Sequence, residues 1–149
     1  MADLMKGKRG LILGVANDKS IAWGIAQTLA AEGADLAFTY QGEAVGRRVV
    51  PLCDSVNGAF AMDADVTDAA SLDALFARIK ADWGGLDFLV HAVAFSAKEE
   101  LTGRFSDTSR ENYLTSMHIS CYSLIEKARR ARPQMTEGGA IVTLSFLGA

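Results

Sequence analysis

The segment Gly14-Val15-Ala16-Asn17-Asp18-Lys19-Ser20-Ile21-Ala22-Trp23-Gly24 has the chemistry of an anion site. It follows a short apolar run, Leu11-Ile12-Leu13, and leads into an amphipathic stretch from Ile21 to Ala31. That order reads as strand, glycine-bearing turn, helix. A helix N-terminus carries free N–H groups and a partial positive charge, so it attracts phosphate. Gly14 lacks a Cβ, which lets a pyrophosphate approach the backbone. Ser20 can cap the helix or donate its hydroxyl to phosphate. A dinucleotide is the expected ligand. The usual Gly-x-Gly-x-x-Gly fingerprint is absent, and two glycines at such a turn are alone a weak signal.

Other reactive side chains are fewer. Gln41 follows the second apolar run, where an amide can hydrogen-bond a ribose hydroxyl, although taken alone it is better explained as a solvated turn residue. Asp65 can accept from an adenine amino group or can serve as a local cap. His91 lies within an apolar run and is expected to be a buried, satisfied imidazole. His118 and Cys121 are spaced to share a metal, but two ligands do not make a site. No metal is expected. Ser145 is not in a Gly-x-Ser-x-Gly elbow, which excludes that kind of hydrolase nucleophile. Lys127, Arg129, Arg130 and Arg132 read as charges favoured at a helix C-terminus, and Lys98-Glu99-Glu100 as a solvated loop.

These residues need a scaffold, and the alternation of patterns supplies one. Strands are expected at Gly10–Leu13, Ala34–Tyr40, Ala59–Met62, Leu86–Val93 and Ala140–Phe146. Helices are expected at Ser20–Glu32, with Gly33 closing it, and at Glu43–Val56, with Pro51 as a kink or break. A third runs Ala69–Trp83, capped by Asp68 and ended by Gly84-Gly85, with Leu72, Leu75, Phe76 and Ile79 on one face. After a polar loop from Ser96 to Asp107, Thr108 and Glu111 have capping-box spacing. They open a long helix to Arg130 with Tyr113, Met117, Cys121, Leu124 and Ala128 along one side. Strands alternating with helices imply an α/β fold, right-handed crossovers and a parallel sheet. Ligands then bind just after the strands' carboxyl ends.

Composition agrees. The 149 residues are 50% hydrophobic and 22% charged, with net charge -3. That suits one globular domain and gives nucleic acid no basic stripe to bind. No run approaches a membrane span, the N-terminus has no apolar signal core, and the two cysteines suggest no disulfide framework. A cytoplasmic protein is expected.

From Gly14 onward the chain resembles a known family. The spacing Gly14-x-x-x-x-x-Ser20-x-x-x-Gly24 is similar to the divergent short-chain dehydrogenase/reductase pattern. More narrowly, it resembles bacterial NADH-dependent enoyl-acyl-carrier-protein reductases. Further matches are Ala34 to Gln41, Asp65-Val66-Thr67, Leu89 to Phe95, His118-Ile119-Ser120 and Leu144 to Ala149. They run in order along essentially the whole chain.

The resemblance implies a Rossmann-like, doubly wound parallel sheet of about five strands, incomplete relative to the family. It implies that Gly14, Ser20 and Ile21 hold the pyrophosphate and its ribose, and that Gln41 lies by the adenosine ribose. Asp65 and Val66 would meet adenine, and Ala92, Val93 and Ala94 the nicotinamide ribose. Phe95, Ser96 and Phe146 would border the acyl substrate; many members carry Tyr in place of Phe146. Gln41 without a basic pair favours NADH. The family reduces a trans-2-enoyl thioester in fatty-acid elongation, with a Tyr stabilising the enolate and a Lys orienting the ribose. That Tyr-x-x-x-x-x-x-Lys pair belongs to a helix beyond Ala149. A dinucleotide-binding domain truncated before it, inactive alone, is therefore expected from residues 1–149. Enoyl-acyl-carrier protein is the implied substrate, and a homotetramer, paired through the helix from Arg110 to Arg130, the implied assembly. Two alternatives are another divergent reductase and a non-catalytic nucleotide-binding module.

Overall fold

The computed structural model describes residues 3–147. The elements run β1 (Arg9–Leu13), α1 (Ile21–Ala31), β2 (Asp35–Tyr40), α2 (Glu43–Ser55), β3 (Phe60–Asp63), α3 (Ala69–Trp83), β4 (Phe88–His91), α4 (Arg110–Met117), a π turn (His118–Tyr122), α5 (Ser123–Ala131) and β5 (Ala140–Thr143). Two 3-10 turns, Lys98–Leu101 and Phe105–Asp107, bridge β4 and α4. All strand pairs are parallel, in the order β3-β2-β1-β4-β5. The expected five-stranded parallel sheet is present. The chain reverses direction of winding between β1 and β4, which makes the gap above their carboxyl ends the ligand crevice of such a sheet.

Alternation along β1 divides the core. Leu11 and Leu13 point to one face and pack with Leu75, Phe76 and Ile79 of α3 and with Ala131 of α5. Ile12 points to the other and packs with Ala22, Trp23 and Ala26 of α1 and with Val49 and Cys53 of α2. Leu11, Ile12 and Leu13 are fully buried, as strands covered on both faces require. Burial also pushes the Cys53 thiol up to about 11.

Helix ends follow local chemistry. The Asp68 carboxylate accepts from the Ala70 N–H at 3.0 Å and caps α3, and Gly84 ends it in the left-handed region at φ 71°. Pro51 lies inside α2 without stopping it.

Five expectations are corrected. β4 and β5 are shorter than the apolar runs that contain them. Leu86 N–H donates to the Gln134 carbonyl before β4 begins, and the β4–β5 ladder ends at the His91–Thr143 pair, so Leu144 to Phe146 leave the sheet. The cap of α4 is Ser109, whose Oγ accepts from Asn112 N–H at 3.1 Å; Thr108 instead donates to the Phe105 carbonyl. Within Lys98-Glu99-Glu100, whose first two residues are exposed as expected, the Glu100 carboxylate takes both the N–H and the hydroxyl of Ser109, which holds Glu100 below the usual carboxylate range. The helix to Arg130 is interrupted by the π turn, and Tyr113, Met117 and Cys121 face outward. Finally, the basic cluster is not merely a helix end: Lys127 is fully buried, and Arg130 bridges Asp73 of α3 at 2.7 Å and Glu126 at 2.6 Å.

Candidate nucleotide site

Two adjoining cavities lie over the crevice between β1 and β4. One, of about 370 Å³, is lined by Gly14, Ser20, Ile21, His91, Ala92 to Ala94 and Leu144 to Phe146. The other, of about 480 Å³, extends over Thr39 to Gln41, Ala64, Val66, Phe95 and Ile119. They share Gly14, Ala92, Val93 and Ala94, so the two form one trough that meets at Gly14 and the end of β4. Two adjoining compartments suit a ligand with two ends.

Where the two cavities meet, Gly14 presents only backbone. Gly14 has φ +108°, and a Cβ on it would stand 2.0 Å from the Ala92 carbonyl oxygen. Any other residue must move the end of β4. The place of a Gly14 Cβ is thus taken by β4 itself, and Gly14 lines both cavities with backbone alone, which lets a phosphate lie against the loop.

Ser20 occupies the N-cap position of α1 but makes no cap bond. Its Oγ accepts from the Ala16 N–H at 3.0 Å and the Asn17 N–H at 3.2 Å, which closes the loop on itself. This corrects the capping role. It also leaves the Ser20 hydroxyl proton free to donate, beside the first-turn N–H groups of Ile21 and Ala22, which have no intrahelical acceptor. Arg48 of α2 braces the same loop, its Nε donating to the Ala16 carbonyl at 3.1 Å.

Of the predicted site residues, the trough brings together Gly14, Ser20, Ile21, Gln41, Val66, Ala92, Val93, Ala94, Phe95 and Phe146. Asp65 and Ser96 stand just outside its lining. The Asp65 carboxylate accepts from the Thr67 N–H at 2.8 Å and the Thr67 hydroxyl at 2.7 Å, bonds that hold it below its ordinary range. The Ser96 Oγ accepts from Asn112 Nδ2 at 3.1 Å. No Lys or Arg lines either cavity among the described residues.

Sequence reasoning missed the side chains that hold the trough's wall. Asn112 Oδ1 accepts from the Ala97 N–H at 2.9 Å, and Ser120 Oγ from the Phe95 N–H at 3.0 Å. Asn112, Ser116, Ser120, Ser123 and Lys127 form a polar stripe at helical spacing, and that spacing was the available signal. His91 is buried and satisfied, as expected, with Ser123 Oγ at 2.8 Å and Thr143 Oγ1 at 3.2 Å. Burial, then the Lys127 charge, pushes its imidazole down to about 4, so it is neutral at pH 7. His118 packs edge-on against Tyr122 with ring centroids 5.8 Å apart.

Comparison with known proteins gives this site its context. Residues 14–149 match the family described as Enoyl-(Acyl carrier protein) reductase. The chain is 56% identical to an enoyl-[acyl-carrier-protein] reductase [NADH] of Rhizobium meliloti, over all of this chain and 56% of that protein. It is 52% identical to its counterpart in Rickettsia bellii, over 98% of this chain and 56% of that one. The Anaplasma phagocytophilum reductase, solved with NAD, superposes with a TM-score of 0.94 at 54% identity, covering 98% of this chain and 56% of that one. The Bacillus cereus reductase, solved with NADP+ and an indole naphthyridinone, gives 0.94 at 44% identity over 99% and 58% of the two chains. The chain thus spans somewhat over half the length of the relatives it matches.

Proposed function

We propose, from the premise that the chain belongs to the enoyl-(acyl carrier protein) reductase family, that it forms the NADH-holding part of an enzyme reducing trans-2-enoyl thioesters on acyl carrier protein. The observation that carries the reading is the trough at the β1–β4 reversal, where the Gly14 backbone lines both cavities and β4 leaves no room for a side chain on it. The bound nicotinamide supplies the hydride; this chain's residues bind, orient and exclude water. Gly14 gives the pyrophosphate its passage, while the Ser20 hydroxyl and the α1 N-terminus, led by Ile21, donate to it. Gln41 serves the adenosine ribose as an uncharged donor and acceptor. The absence of Lys and Arg from the described lining favours NADH over a cofactor with an extra phosphate. Val66 and Asp65 border adenine, and Ala92 to Ala94 the nicotinamide ribose. Phe95, Ser96 and Phe146 form one side of the acyl pocket, where the 90% exposed Phe146 ring offers an apolar wall.

The assembly we propose is a homotetramer in the cytoplasm. Tyr113, Leu114, Met117, Tyr122 and Ile125 stand side by side on the outer face of the 110–131 helix, each more than 40% exposed. Such a contiguous apolar face suits burial by a second copy. Among the described residues, no helix is long and apolar enough to cross a membrane.

NADH titration followed by nicotinamide fluorescence tests the cofactor reading. The expected result is saturable binding that Gly14→Ala weakens more than about tenfold, because the new Cβ collides with Ala92. Equal binding by both proteins would overturn it.

A further inference from the structure

The buried contacts around His91 can be given directions. Ser123 has one hydroxyl proton, and it goes to the Ile119 carbonyl at 2.6 Å. Ser123 Oγ is therefore an acceptor toward His91 Nε2 at 2.8 Å, which places the imidazole proton on Nε2. His91 Nδ1, left as an acceptor, receives the Thr143 hydroxyl proton at 3.2 Å. The chain of donation runs from Thr143 to His91, to Ser123, to Ile119.

Its members sit at the ends of three different elements. Thr143 is the last residue of β5 and His91 the last of β4. Ser123 comes directly after the π turn, where its own N–H reaches back to the His118 carbonyl. The next residues along each strand, Ala92 to Ala94 and Leu144 to Phe146, are facing walls of the smaller cavity. Ile119, at the receiving end, lines the larger one. Single-turn π segments inside helices occur often at functional sites.

We infer that Thr143, His91 and Ser123 form a directional hydrogen-bond clamp whose work is to fix the gap between the β4 and β5 walls of the nucleotide trough. All three are positioning residues, and their effect on cofactor affinity rests on the proposal that the trough holds NADH. The backbone ladder between β4 and β5 ends at the His91–Thr143 pair, so no strand pairing holds Ala92 to Ala94 against Leu144 to Phe146 beyond it. The last pair of the β4–β5 ladder is thus tied side chain to side chain as well, at the point where the two walls leave the sheet.

Thr143 is exposed, so its variants test the clamp in a folded protein. Thr143→Val keeps the shape and removes the hydroxyl; Thr143→Ser keeps the hydroxyl. With NADH as the probe, Thr143→Val should weaken binding about fivefold, the loss of one net hydrogen bond. Thr143→Ser should stay within about twofold of the unsubstituted protein. Nitrogen NMR of His91 at pH 7 should show the neutral ring with the proton on Nε2, with or without NADH. Equal affinity of the Val variant and the unsubstituted protein, a Ser variant as weak as Val, or a proton on Nδ1 would each overturn the clamp. Failure of the unsubstituted protein to bind NADH overturns the cofactor reading and the clamp's effect on it together. The unsubstituted control separates that outcome from failure of the clamp alone.

Discussion

α3 and the 110–131 helix cover the same face of the sheet and are bridged by Arg130 and Asp73, yet they are built in opposite senses. α3 turns Leu72, Leu75, Phe76 and Ile79 inward, all nearly or fully buried. The 110–131 helix turns Asn112, Ser123 and Lys127 inward and exposes Tyr113, Leu114, Met117, Tyr122 and Ile125. Hydrophobic burial is non-directional, so it fixes a helix against a sheet without placing any one atom closely. Hydrogen bonds are directional and place particular backbone groups. The helix beside the crevice uses the second method: Asn112 holds Ser96 and Ala97, Ser120 holds Phe95, and Ser123 holds His91. α3, farther from the crevice, supplies core.

The contrast can be broken most severely on the apolar side. Leu75→Ala removes a fully buried side chain and should cost about 2–5 kcal/mol, read from the urea midpoint. A loss below about 1 kcal/mol would mean that α3 is not the anchor described.

On the polar side the expected effect is smaller and depends on pH. The folded imidazole of His91 titrates at about 4, below its ordinary 6.5. The unfolded chain therefore takes up the proton first as pH falls. Stability is complete above about 6.5, declines between 6.5 and 4, and has lost the whole contribution below 4. Between about pH 7.5 and about pH 5 the loss attributable to His91 is about 2 kcal/mol. Unfolding at the two pH values should show His91→Gln losing about that much less than the unsubstituted protein. Parallel losses would show that His91 is not kept neutral by its surroundings.

The smallest effect sharpens the comparison from outside. Leu114 is 49% exposed, so Leu114→Ser should change the stability of a single chain by no more than about 0.5 kcal/mol. In sedimentation, the same substitution should shift the proposed tetramer toward smaller species. A large loss of single-chain stability would mean that Leu114 packs within its own subunit.

The same contrast explains how much the residues alone reveal. α3 is legible from its cap at Asp68 to its glycine stop because its inward face is apolar and its period unbroken. β1, β2 and the anion loop are legible for a similar reason: an apolar run, then a glycine at the turn. The helix from Arg110 is legible as a helix with an apolar side, but not which way that side turns, because an apolar stripe signals the inward face only when water lies on the other side. There the outer stripe is the apolar one, and small hydroxyl and amide side chains carry the packing. The ends of β4 and β5 look longer in sequence because apolar composition persists past the last ladder bond. In the site, the trough's lining at Gly14, Ser20, Gln41, Val66 and Ala92 to Ala94 can be read from position after strands and from family resemblance. Its supports, Arg48, Asn112 and Ser120, lie far away in sequence, and only the folded chain brings them to the loop and wall they hold.

The π turn has one more consequence, and it concerns counting. Each residue of an α-helix is turned about 100° from its predecessor, and a π turn takes in one residue beyond the α-helical count. The frame of α5 is therefore offset from that of α4, which lets Asn112 face the wall while Ser123 and Lys127 face His91. Were the turn to become α-helical with all five residues kept, Ser123 would swing by about 100° away from the imidazole. Removing one residue there would instead give a regular helix and leave Ser123 facing His91. The π turn from His118 to Tyr122 thus absorbs one residue without disturbing what α5 presents to the sheet.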